Sequence, residues 1–249
     1  MPTSSPALAS RPRDAALDLL KWLALLSMLI DHLRHVWPPL YALYIPGRLA
    51  FPLFCLAIAA NLVRPSARPR PRLPVPLHYL GLLLLFSLLS EWPYRLLVPA
   101  PQSLNVLPTL VLGLLIASGV QQPSGPARWL AIGALLLAVV AHPWLMFGVA
   151  GALLPAAFVY ALKHSHPAWV WPLLLSLLAN YWPPFYADAA RGEPFAWAVI
   201  LSCALAPLFG LWLLRQPLQI RVPPVRRWAY LFYPGHFLLL AALREYWLR

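Results

Sequence analysis

Acidic residues are scarce in this chain: seven Asp and Glu among 249 residues, set against 19 Lys and Arg. Charged residues of both signs reach only 10%, where soluble domains carry roughly 25%, so a water-facing globular surface is excluded. Cysteine is limited to Cys55 and Cys203. Each lies inside an apolar run with no CxxC and no metal-ligand spacing, which argues for two small buried hydrophobes rather than a disulfide framework or a thiolate zinc site. Ser27 sits in LSMLI rather than in GxSxG, so no hydrolase elbow is indicated. Internal repeats are lacking as well.

What fills the chain instead is apolar sequence, with 61% hydrophobic residues and a mean hydropathy of +0.68. A membrane-crossing helix needs about 20 largely apolar residues, within a range of roughly 17 to 25. Nine segments meet or approach that length: residues 16–37, 44–63, 77–98, 104–121, 127–142, 145–162, 168–186, 195–214 and 228–247. The expected fold is all-α, a polytopic transmembrane helical bundle of about nine spans (8–10) forming one domain over residues 1–249. Only His142–Trp144 separates the fifth segment from the sixth, and a broken or re-entrant pair is the alternative there.

Basic residues fall in alternate connections. Arg11 and Arg13 precede the first segment, Arg64, Arg68, Arg70 and Arg72 follow the second, and Arg215, Arg221, Arg226 and Arg227 precede the ninth, with Arg128 and Lys163 in between. The positive-inside bias assigns that side, and a flexible tail over residues 1–15, to the cytoplasm. Charge distributed this way does not describe a nucleic-acid footprint, and no nucleic-acid partner is expected. Residues 1–14 lead into a charged apolar run without a small-residue cleavage site, so the first helix is expected to remain as an anchor. Many of the 30 prolines lie in the connectors RPSARPRPRLPVP (64–76) and RVPPVRR (221–227), which read as stiff and extended. WPPLY (37–41), EWPY (91–94) and NYWPPFY (180–186) read as interfacial aromatic belts.

Ionisable residues inside the apolar segments are the candidates for function. At about 100° per residue, Asp18, Lys21, Met28, His32 and His35 share one face of the first helix, with Asp31 beside it. Asp18, Lys21, Arg34 and His35 can snorkel to the nearer interface. Asp31 and His32 lie too deep for that, where an ionisable side chain costs about 2.5–3.5 kcal/mol, and should face a polar cavity or each other. Arg48, Glu91 and Asn105 fall near the same depth, which leads to the expectation of a shared pocket. In the ninth segment Pro234 and Gly235 are expected to loosen the backbone beside His236. No set of three or four ligands with metal spacing is offered, so no metal is expected.

Five blocks carry a family resemblance: DLLKWLALLSMLIDH (18–32), GRLAFPLFCLAIA (47–59), LLSEWPYRL (88–96), NVLPTLVLG (105–113) and YLFYPGHFLLL (230–240). Together they resemble the TraX family, and more distantly the transmembrane acyltransferases. The resemblance implies a multi-pass protein of a bacterial inner (cytoplasmic) membrane that acetylates the N-terminus of conjugative pilin, with acetyl-CoA as co-substrate. It marks Asp18, Lys21, Asp31, His32, Arg48, Glu91, Asn105, Tyr233 and His236 as the characteristic polar positions. Where the family shows an Asp-Tyr-Gly element before a glycine-containing helix, this chain reads HPWLMFGVAGALL (142–154), without the acid.

Acetyl transfer requires the acceptor to lose a proton as it attacks, and a well-placed general base contributes roughly 10²–10⁴-fold. His32 is the expected base, with Asp31 or Glu91 orienting the ring. Arg48 or Asn105 would donate to the oxyanion, and Lys21, Arg48, Asn105, Tyr233 and His236 would bind substrate. The polyanionic end of the acyl-CoA donor is expected on the cytoplasmic arginines, Arg64, Arg68, Arg226 and Arg227. The acceptor is pilin or another periplasmic or membrane-borne group, in contact with a lipid bilayer. Two rival classes are a proton-coupled small-molecule transporter, since intramembrane charges also mark ion pathways, and a non-catalytic pilus-assembly protein.

Overall fold

Asp14 opens the first helix by accepting the Leu17 amide at 3.0 Å, and its carboxylate also pairs with Arg64. In the computed structural model, which describes residues 14–64, 75–122 and 125–247, every regular element is a helix. The long ones are α1 (Ala15–Leu33), α3 (Ala50–Val63), α4 (Leu77–Leu97), α5 (Leu107–Gln121), α6 (Gly125–Val140), α7 (Gly148–Lys163), α10 (Pro194–Leu213) and α11 (Trp228–Trp247). Shorter ones are α2 (Tyr44–Gly47), α8 (Val170–Ala179) and α9 (Pro183–Ala190). Of the tail expected over residues 1–15, all but Asp14 and Ala15 lies outside the described residues.

Apolar residues all round a helix fit burial on all sides, and α3 and α5 are two such helices. Both are almost wholly buried. Helix α3 packs on α1, α5, α7 and α10, and α5 on α4, α6 and α7. Around this axis α4 pairs with α11, and α8 with α7 and α10. The outward faces remain apolar: Leu84, Leu85, Leu88 and Leu89 on α4, and Leu136, Leu137, Val139 and Val140 on α6, are all exposed. Contiguous apolar surface on this scale fits lipid rather than water. Among the described residues three helical segments, Pro38–Val63, Leu77–Leu97 and Pro194–Leu213, are long and apolar enough to cross a membrane, and Leu107–Gln121, Gly125–Val140, Gly148–Lys163 and His166–Ala179 are apolar but shorter.

Each of the nine apolar segments is helical, with informative differences. The first helix ends at Leu33 rather than continuing to 37. The segment at 168–186 is not continuous: α8 stops at Ala179, the Asn180 side chain turns back to the Ser176 carbonyl at 2.9 Å, and α9 starts at Pro183. Pro183 and Pro184 lack the amides that a continuing helix would need. His142–Trp144 forms one 3-10 turn, leaving α6 and α7 as separate helices packed on each other. Pro234 does not break α11, which runs from Trp228 to Trp247. The 221–227 connector is non-helical and is pinned along α1 by Trp22 Nε1 donating to the Pro223 carbonyl at 3.0 Å and the Val225 amide donating to Asp18 at 3.4 Å. Chain direction thus gives the bundle a basic end, with Lys21, Arg226 and Arg227, and an opposite end with His32.

Candidate functional site

Helix α1 presents Asp31 and His32 to the interior because its last turn meets α2 without an intervening side chain. Gly47 is buried against Asp31, and a Cβ there would fall inside contact distance of Asp31 Oδ1. Ser27 Oγ donates to the Pro46 carbonyl at 2.6 Å and Ser202 Oγ to the Ile45 carbonyl at 2.8 Å, so α1 and α10 hold this single turn from both sides. Arg48 follows at the α2–α3 junction. Its Nη2 donates to Asp31 Oδ1 at 3.3 Å, its Nη1 to Asn180 Oδ1 at 3.1 Å and its Nε to the Tyr44 carbonyl at 3.3 Å, while its guanidinium lies 3.8 Å over the Tyr44 ring. Arg34 Nε adds a second contact to Asp31 Oδ1 at 3.4 Å. Two guanidiniums thereby face the carboxyl group of a residue only 7% exposed, and the pairing offsets the cost of burying any one of these groups alone.

His32 is tied from the other side. Its Nδ1 lies 2.9 Å from His236 Nε2, and His236 Nδ1 lies 3.0 Å from the Phe232 carbonyl. A carbonyl only accepts, so His236 Nδ1 carries the proton and its Nε2 is the lone pair. That lone pair accepts from His32 Nδ1, which leaves Nε2 as the basic nitrogen of neutral His32. Asp31 Oδ2 lies 3.9 Å from that Nε2, near enough to stabilise a protonated ring.

Asp31, His32, Arg34, His35, Arg48 and Asn180 line a chamber of about 350 Å³, with Tyr94, Trp182 and the stacked Phe51 and Phe147 in its walls. A second cavity, of about 470 Å³, runs in from the basic end between α1, α3, α4, α5 and α11. Its mouth carries Lys21, His78, Arg226 and Arg227, and its body is leucine-rich. The two spaces share Met28, Phe54, Val106 and Tyr233 as wall residues, so these four side chains form the waist between them. Val106 N–H donates to the Tyr233 hydroxyl at 3.3 Å, which leaves the phenolic proton free to point elsewhere.

The expected residues therefore divide. Asp31, His32 and Arg48 come together in the chamber, Tyr233 stands at the waist, and Lys21, Arg226 and Arg227 line the inner cavity. His236 is buried behind His32 and lines neither space. Glu91 and Asn105 are neighbours of the chamber rather than members. Glu91 Oε1 takes Arg95 Nε at 2.7 Å, and its Oε2 accepts the Asn105 amide at 3.0 Å and the Asn105 side chain at 2.7 Å. Asn105 also donates to the Ser87 carbonyl and accepts from the Leu107 amide. Their effect on the chamber is indirect, through Tyr94 and Val106 beside them. Arg64 pairs with Asp14 and does not line the cavity, and Arg68 lies outside the described residues. Asp18 is buried under the 221–227 connector.

Several wall residues escaped the sequence reading. Arg34 and His35 read as groups reaching water, Tyr94, Asn180 and Trp182 as belt residues, and Tyr44 only as the start of the second apolar segment. Asn180, an amide at the end of an apolar run and just ahead of Pro-Pro, carried the one available signal, that of a helix stop. Among the described residues no group of three or more His, Cys, Asp or Glu could hold a metal ion. In comparisons with known proteins, a family model described as TraX protein matches residues 16–244. No match was found among curated proteins or solved structures.

Proposed function

The chain belongs to the TraX family, and on that premise we propose that it is an integral-membrane acyltransferase that moves an acetyl group from acetyl-CoA to an amine or hydroxyl acceptor. In this reading about nine segments cross a bacterial inner membrane, the N-terminus and basic end face the cytoplasm, and the acceptor is a pilin N-terminus or another group reached from the far side. A pilus-related role is consistent with the family.

The observation that carries the reading is the pair of cavities walled in common by Met28, Phe54, Val106 and Tyr233, with His32 lining the chamber beyond. The phosphates of the donor cannot enter hydrocarbon and would stay on Arg226, Arg227 and Lys21, while the thin pantetheine arm follows the apolar cavity inward. The acceptor nitrogen or oxygen attacks the thioester carbonyl carbon as His32 Nε2 takes its proton. The Tyr233 hydroxyl, already an acceptor from Val106, is free to donate to the developing oxyanion. Arg48 and Asn105 have most of their donors engaged elsewhere. When the C–S bond breaks, the proton on His32 passes to the leaving CoA thiolate, and the base is regenerated. Asp31 stabilises the imidazolium in between.

The test is release of free CoA from acetyl-CoA by purified protein, dependent on added acceptor and lost in His32→Gln. The same two cavities also fit a transporter, which predicts solute flux across proteoliposomes with no CoA released.

A further inference from the structure

Away from the chamber, a groove of about 690 Å³ runs along the outer face of α10. Its walls are apolar, formed by Leu49, Leu201, Leu205, Phe209, Trp212 and Trp169, and the Ser202 hydroxyl in it is already spent on the Ile45 carbonyl. From Leu201 to Trp212 the groove covers about 16 Å at 1.5 Å per residue, close to the hydrocarbon depth of one leaflet, half of roughly 30 Å. Its two tryptophans lie at the basic end, where interfacial aromatics belong.

That end also carries a cation. The Arg215 guanidinium lies 4.6 Å over the Trp169 ring, and its Nη1 donates to His166 Nε2 at 2.7 Å. An imidazole carries no negative charge, so this contact does not offset the positive charge of Arg215. Arg34, Arg48, Arg64, Arg95, Arg191 and Arg244 each have a carboxylate within ion-pair distance. Among the described residues Arg215, in common with Arg128, Arg221, Arg226 and Arg227, has no carboxylate partner; it is set apart by its place over the Trp169 ring that walls the groove. Its remaining N–H groups are exposed at the rim of a groove one leaflet deep, an arrangement that matches an acyl chain ending in a phosphate.

We propose that the α10 groove binds one anionic phospholipid of the leaflet at the basic end, an acyl chain along Leu201, Leu205 and Phe209 and the phosphate on Arg215. This site is independent of acyl transfer. The test is thermal unfolding of the purified full-length protein in detergent with added dioleoyl-phosphatidylglycerol or dioleoyl-phosphatidylcholine. Phosphatidylglycerol is expected to raise the melting temperature more than phosphatidylcholine. The excess should fall by at least half in Arg215→Gln, return in Arg215→Lys, and persist in Arg191→Gln at the other end. Equal shifts for the two lipids, or an excess that survives Arg215→Gln, overturn the proposal. So does conversion of a dimer to a monomer by Leu205→Trp, which assigns the groove to a second copy of the chain.

Discussion

Asp31 and Glu91, two of the carboxylates near the end of the bundle opposite the basic residues, are each gripped by arginine and do different things. Asp31 faces open space: Arg34 and Arg48 hold one of its oxygens, and the other looks toward His32 across 3.9 Å. Glu91 faces protein: Arg95 takes one oxygen, and the Asn105 amide and side chain take the other. The first pair keeps charge available beside a cavity. The second joins α4 to the start of α5, as Arg244 joins α11 to the Leu96 and Leu97 carbonyls at the end of α4. An ionisable residue in an apolar segment therefore marks either chemistry or a splice between helices, and the space next to it decides which.

The contrast is sharpest at His32, the proposed base. Replacing His32 with Gln should cut acceptor-dependent CoA release by roughly 10²–10⁴-fold, the usual worth of a general base, with little change in melting temperature. Next comes Asp31→Asn, expected to lower turnover by about 10- to 100-fold, the equivalent of a hydrogen bond to a charged group, about 1.5–3 kcal/mol. His236→Leu removes the acceptor for His32 Nδ1 and should cost roughly tenfold or less, about 1 kcal/mol. His236→Gln, whose amide oxygen can stand in for Nε2, should recover most of that. The smallest effect on turnover is expected for Glu91→Gln, within about twofold per folded molecule. It should nonetheless lower the melting temperature clearly, since a charged bond worth about 1.5–3 kcal/mol is weakened. A Glu91→Gln variant slower than Asp31→Asn at equal folded fraction would erase the distinction between the two carboxylates.

Much of this was legible in the sequence because hydrocarbon is an unforgiving solvent. Asp31, His32 and Arg48 stand out against apolar neighbours, and the cost of leaving them in lipid forces them together. Helix positions followed from length and hydropathy, and the break in the 168–186 segment from Asn180 and the two prolines behind it, a signal present but not used. The Glu91–Arg95 spacing of four residues also announced a pair on one helix face. What the sequence withheld is rotation. Nothing in the separation of 204 positions from His32 to His236 states which way α11 turns its histidine, and that orientation separates a group lining the proposed substrate path from one supporting the proposed base. Depth alone made Glu91 and Asn105 look like members of the chamber, because depth is set by hydropathy while azimuth is set by packing.

The support beneath His236 is a main-chain carbonyl, that of Phe232. Any residue at 232 would supply the same oxygen, so point substitutions there leave the hydrogen-bonding pattern of both imidazoles intact as long as α11 keeps its winding. The protonation geometry of the base is thus inherited from helical pitch, and an insertion or deletion between 232 and 236 would disturb it more than any exchange of side chain at 232.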